Sequence, residues 1–195
     1  MNYDEILNQL KTEGNPTPSP RFRFSIPNAR EELEKAMAAV LSRMGEKLVW
    51  LPEYDKVADW LSDNNGKGLF LYGSCGRGKS LLVRYAIPML FRGFCRRFVY
   101  VVDCGTTQQN IDEILRRKFI ALDDIGTEVD RKDFGTLRNV VVEAINKAQD
   151  DTGTMLIISS NLSAEAIRDR YGDRILDRIK YLCRRVAFNG KSLRK

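Results

Sequence analysis

Histidine is absent from this 195-residue chain, and its four cysteines, Cys75, Cys95, Cys104 and Cys183, lie far apart with no C-x-x-C pair. Neither a zinc site nor a disulfide framework is suggested, and the four thiols read as buried or idle. Long apolar runs are also missing: none approaches the roughly 20 residues needed to span a bilayer. The opening MNYDEILNQL lacks the basic-then-apolar pattern of a secretory signal, so the expected location is the cytoplasm. No internal repeat is evident. What remains is an ordinary globular composition, 43% hydrophobic and 30% charged, in a length that suits one well-buried α/β domain and hardly two.

The net charge of +6 is unevenly placed, because residues 165–195 hold ten Lys or Arg against four Asp or Glu. Such a face suits nucleic-acid phosphates or a neighbouring subunit's nucleotide, and equally a solvated helix surface. Residues 14–27, GNPTPSPRFRFSIP, carry four prolines, which predict an extended arm with the fold starting after it. From Asn28, a candidate helix cap, Leu33, Met37, Val40, Leu41 and Met44 recur at helical spacing until Gly45. A second helix is predicted over PEYDKVADWLSDN, with Tyr54, Val57, Ala58 and Leu61 on one side. Beyond Gly66 the runs GLFLY, RFVYVV, FIALDD, MLIISS and RRVAF alternate with amphipathic stretches. That alternation predicts a parallel sheet covered on both faces, with ligands at the C-terminal strand ends.

The segment GSCGRGKS matches G-x-x-x-x-G-K-[ST] between a strand-like and a helix-like stretch. Its spacing suits a phosphate cradle: glycines Gly73, Gly76 and Gly78 let backbone N–H groups curl around phosphate oxygens at a helix N-terminus. Ser74, Cys75, Arg77 and Leu81 complete the nucleotide-contacting segment, with the side chains of Cys75 and Arg77 not required. Lys79 is placed to reach the β- and γ-phosphates and Ser80 to hold Mg²⁺, so the motif implies ATP and Mg²⁺ as ligands; a small-molecule kinase would share it but would also need an Arg-bearing lid between later strands, which the sequence does not show.

FIALDDIG delivers Asp123 and Asp124 to a strand end. Asp123 fits a Mg²⁺-holding role and Asp124 a carboxylate that polarises the attacking water; without the upstream loop, a turn or helix cap would be the better reading. MLIISSN delivers Asn161 to the same edge, either to orient that water or as a turn residue before a helix capped by Ser163. In RDRYGDRILDRIK, Arg170, Arg174 and Arg178 recur every fourth residue, each preceded by an aspartate. Gly172 is expected to split two helices, with Asp173 capping the second. The arginines read either as surface ion pairs of about 0.3–0.5 kcal/mol each or as an arginine finger.

Together GSCGRGKS, ALDDIG, IISSN, YGDRILDRI and RVAFNGKSLR resemble the AAA+ ATPases of the bacterial helicase-loader group (DnaC type) and their IstB-type transposition relatives, over residues 48–195. The resemblance implies a three-layer α/β P-loop NTPase domain of the AAA+ (RecA-like) kind, with a five-stranded parallel sheet and no C-terminal helical lid. It implies an ATPase that delivers a replicative helicase hexamer onto single-stranded DNA, or one that assists a transposase. In that resemblance Asn161 matches sensor 1, Arg178 the finger that acts between self-associated subunits, and Arg174 a second contact nearby. Residues 1–45 are then the candidate partner-binding appendage and residues 46–195 the ATPase domain. Asp124 stands where many such proteins have glutamate, and Cys104 to Lys118 is shorter than the DNA-contacting insertion of typical loaders.

Overall fold

The computed structural model describes residues 1–15, 17, 19–106, 110–129, 131–133 and 136–193. Along the chain run α1 (Tyr3–Thr12), α2 (Ala29–Arg43), α3 (Pro52–Ser62) and β1 (Gly68–Gly73). A continuous helical segment follows, with α4 (Lys79–Leu81) and α5 (Ile87–Leu90) separated by a π-wound turn, Leu82–Ala86, and closed by another, Phe91–Cys95. Then come β2 (Tyr100–Asp103), α6 (Ile111–Leu115), β3 (Phe119–Ile125), the short strands β4 (Arg131–Asp133) and β5 (Thr136–Arg138), and α7 (Val140–Asp150). The chain continues through β6 (Met155–Ser160), α8 (Ala164–Tyr171), α9 (Asp173–Leu182) and β7 (Cys183–Phe188).

The five apolar runs form one parallel sheet in the order β2-β3-β6-β1-β7, as their patterning predicts. All six residues of β6 are buried, and its side chains alternate between two cores. Met155 and Ile157 join α2, α3 and the Lys79–Cys95 segment on one face. Leu156 and Ile158 join α6, α7, α8 and α9 on the other. This is a three-layer α/β arrangement. Gly172 does split α8 from α9 (φ 84°), but Asp173 makes no cap bond and instead accepts from Arg168 Nε at 2.7 Å. Ser163 caps α8, accepting from the Ala166 N–H.

Two N-terminal expectations change. Asn28 precedes α2 in a left-handed conformation without a side-chain cap bond. The fold also begins before Asn28: Phe22, Phe24 and Ile26 of the arm pack into the first core. The Phe24 ring lies 5.2 Å from Trp60 and 4.8 Å from Phe91, and Phe22 lies 4.9 Å from Phe119. Asn64 pins the arm, accepting from Phe24 N–H at 2.9 Å and donating to Phe22 O at 3.0 Å. Aromatic burial outweighs the proline signal here, because an extended strand can still bury alternate side chains. Pro16 and Pro18 of the arm, and Arg194 at the end of the terminal motif, lie outside the described residues.

Candidate functional site

The loop after β1 is built to present its backbone. Gly73, Gly76 and Gly78 have φ of 113°, 71° and 85°, which other residues rarely adopt. A Cβ on Gly78 would stand 2.4 Å from the Tyr54 hydroxyl, and one on Gly73 2.4 Å from the Phe188 carbonyl oxygen. The loop is held from outside as well. Ser74 N–H donates to Phe188 O at 2.7 Å, Leu193 N–H to Gly76 O at 2.9 Å, and Tyr54 Oη to Arg77 O at 3.0 Å.

Arg77 has a role that the motif does not show. Its guanidinium is buried against Glu53 of α3, with Nη2 to Oε1 at 2.6 Å, and donates to Lys191 O at 3.0 Å. The same Glu53 oxygen accepts from the Asn189 N–H. Arg77 therefore ties the loop to α3 and to the segment beyond β7 while its backbone lines the cradle. Cys75 is exposed on the loop, whereas Cys104 and Cys183 are buried. Burial raises both of those thiols, Cys183 to about 12. Leu81 packs its side chain against the first core.

Lys79 opens the helix after the loop, with only 6% of its surface exposed. Its ammonium donates to Gly73 O at 2.8 Å and Ser74 O at 2.7 Å, which holds it across the mouth of the cradle. Ser80 follows, half-buried, in the first helical turn.

The end of β3 carries the acidic half of the site. Pairing with β6 runs in register to Leu122↔Ile158 and resumes at Ile125↔Ser160, so β3 holds one extra residue there. Asp124 occupies that bulge with φ 59°. Asp123 is fully buried. Ser159 links the Asp124 backbone to the Asp123 carboxylate: its Oγ accepts from Asp124 N–H at 2.8 Å and donates to Asp123 Oδ1. Asn161 Nδ2 donates to Asp124 Oδ1 at 2.6 Å, so the predicted water-polarising and water-orienting residues touch. Burial, followed by the adjacent Asp123 charge, pushes the Asp124 carboxyl above its ordinary value, against the opposing pull of Lys79 and Arg84.

Arg84 completes the cluster and was not visible as a site residue in the sequence. Its Nε donates to Asp123 Oδ2 and its Nη2 stands 2.8 Å from Asp103 Oδ2 at the end of β2. Asp123, a fully buried carboxylate at a strand end, suits Mg²⁺, which takes one or two carboxylates and completes its shell with phosphate oxygens and water. Ser80 and Asp123 are the residues that would hold it.

The arginines of α8 and α9 do not join this cluster. Arg178 donates to Asn146 of α7, and Arg174 is exposed and makes no ion pair among the described residues. Arg170 contacts Glu128, a buried carboxylate that also accepts from Tyr171 Oη and Gly126 N–H. Among the described residues the four-residue periodicity thus does not produce a ladder of surface ion pairs, and there only Arg168 pairs with an aspartate of the series.

No protein-family model matches this chain, and no curated protein sequence is similar to it. Its fold is similar to solved structures. The DnaC helicase loader shares 17% identity over 73% of this chain and 93% of its own, with a TM-score of 0.57. A protein of Streptococcus pyogenes serotype M3 described as a primosome component shares 22% over 73% of this chain and 78% of its own, at 0.51. AMPPCP-bound DnaA from Aquifex aeolicus shares 17% over 73% of this chain and 49% of its own, at 0.51. These likenesses place the five-stranded sheet and its helices in the AAA+ P-loop NTPase fold.

Proposed function

We propose that this chain is an AAA+ ATPase of the helicase-loader kind, which binds and hydrolyses Mg²⁺-ATP and uses the cycle to deliver a replicative helicase onto single-stranded DNA. The observation that carries this reading is the convergence of Lys79, Asp123, Asp124 and Asn161 at one edge of the sheet, beside a glycine cradle. The likeness in fold to a helicase loader, and to a DnaA that holds the ATP analogue AMPPCP, supports it.

Each side chain then has a task. The cradle N–H groups and Lys79 bind the phosphates, Lys79 exchanging two backbone carbonyls for phosphate oxygens. Ser80 and Asp123 would hold Mg²⁺, which would supply charge neutralisation for the bound phosphates. Asp124 polarises the attacking water, and its raised pKa strengthens it as a base, while Asn161 fixes its orientation. Arg178 and, beside it, Arg174 serve a neighbouring subunit's nucleotide, consistent with their having no contact with this chain's own cluster.

Surfaces elsewhere suit the partners. α1 buries none of its residues and exposes Tyr3, Leu7 and Leu10 along one helical stripe, a form suited to docking in a partner's groove. From Asn64 to Val102 the chain has seven Lys or Arg and no Asp or Glu. There Arg92, Arg96, Arg97 and Phe98 are exposed, and Arg117 lies 4.9 Å over the Tyr100 ring. Cations interleaved with aromatic rings suit single-stranded DNA.

The test is affinity capture from native extract with a non-hydrolysable ATP analogue, comparing the parent with Lys79→Ala, which is expected to lose nucleotide binding. Nucleotide-dependent recovery of a replicative helicase hexamer supports the loader. Recovery of a transposase instead moves the chain to the transposition helpers. Undiminished binding of labelled ATP by Lys79→Ala sinks the phosphate-cradle assignment.

A further inference from the structure

Asp103 and Asp123 face each other on neighbouring strands, in direct register at the C-terminal ends of β2 and β3. Two carboxylates so placed repel, and Asp123 is fully buried, where an uncompensated charge is costly. Their neutraliser is Arg84, reaching across from the helical segment with one nitrogen to each. The backbone helps to place it. Pro88 has no N–H for the Arg84 carbonyl, and the helix takes up the mismatch by winding as a π-turn over Leu82–Ala86, where the Ile87 N–H bonds Leu82 O. Both oxygens of Asp123 are engaged, Oδ1 by the Ser159 hydroxyl and Oδ2 by Arg84 Nε.

From this arrangement, and resting on the Mg²⁺-ATP reading above, we infer that Arg84 is a built-in competitor for the divalent cation. It neutralises Asp123 in the nucleotide-free chain and yields that carboxylate, keeping Asp103, when Mg²⁺-ATP binds. Two cations on one buried carboxylate repel strongly where water is excluded, so the Mg²⁺ requirement of nucleotide binding is set by this exchange. Arg84 is thus a positioning residue, since it acts through Asp123.

The test follows the binding of a fluorescent ATP analogue as Mg²⁺ is titrated, for the parent and for Arg84→Gln, whose neutral amide can still donate to Asp123. The half-saturating Mg²⁺ is expected to fall about tenfold in Arg84→Gln, because a competing charge is gone. Mg²⁺ without nucleotide is also expected to raise the Tm of Arg84→Gln and leave the parent unchanged. Arg84→Lys keeps the charge but cannot span both carboxylates, so it should shift the midpoint only part of the way; this variant also serves if Arg84→Gln fails to fold. An unchanged or higher Mg²⁺ midpoint in whichever variant folds overturns the inference while leaving the ATPase reading intact. Failure of the parent to bind nucleotide at any Mg²⁺ concentration is the distinct failure of the reading on which it rests.

Discussion

Asp124 concentrates the costs of the site in one residue. It holds a left-handed backbone that aspartate tolerates less readily than glycine, and its charge sits beside that of Asp123. A carboxyl whose folded pKa lies above its unfolded one binds protons preferentially in the native state. Its contribution to stability therefore falls as pH rises through the interval between those two values and stays low above it. Asp124→Asn keeps the oxygen that accepts from Asn161, suits positive φ and removes the charge. It is expected to stabilise the chain at pH 7 by a few tenths to about 1 kcal/mol, allowing for solvent screening. The gain should vanish near pH 3, where Asp124 is already protonated, and ATP turnover should stop. Thermal melts at the two pH values check this, and a destabilised variant at pH 7 would show that the carboxylate is better accommodated than its surroundings imply. The pair Asp123–Asp124 was legible from FIALDD, but the bulge that separates their directions was not, since it depends on the pairing of β3 with β6.

At the scale of elements, the N-terminal region divides by burial. α1 contributes no buried residue, whereas Phe22, Phe24, Ile26, Leu33 and Met37 belong to the core. Removing residues 1–15 is therefore expected to leave Tm nearly unchanged while weakening helicase capture. Removing residues 1–27 strips three apolar side chains from the core, at about 1.5–3 kcal/mol for each one fully buried, and should lower Tm by roughly 10 °C or more. Calorimetry of the two truncations decides it; equal melting points would mean that the arm rests on the core without supporting it. The helix periods of α2 and α3 were readable from spacing, as was Gly172 between α8 and α9. The burial of the arm was not, because its aromatic partners Trp60, Phe91 and Phe119 lie far along the chain.

For the whole molecule, the arginine proposed as a finger makes its hydrogen bond outside this chain's own carboxylate cluster. Arg178 leans on Asn146 of α7, away from the cradle, so a finger role requires a second copy. Arg178→Ala is expected to bind nucleotide normally and to lose turnover by about 10³-fold, the scale of a missing arginine finger. Mixing it with Lys79→Ala should restore part of the activity, because mixed assemblies pair an intact cradle with an intact arginine. Steady-state ATPase assays of the variants, alone and mixed, provide the check, and full activity in Arg178→Ala alone would remove the arginine from the mechanism. No helix among the described residues is long and apolar enough to cross a membrane.

By itself the sequence determined the parallel sheet, its two helical layers and the glycine cradle. Continuous apolar runs, helical periodicity and a loop motif are properties of neighbouring residues, which local chemistry constrains. Only the tertiary structure decided that Arg77 pins the loop to Glu53, that Ser159 links the two aspartates, and that Arg84 spans Asp103 and Asp123. Each of these contacts joins residues separated by long stretches of chain, and charge or spacing within any one segment does not reveal which distant partner will neutralise a buried group.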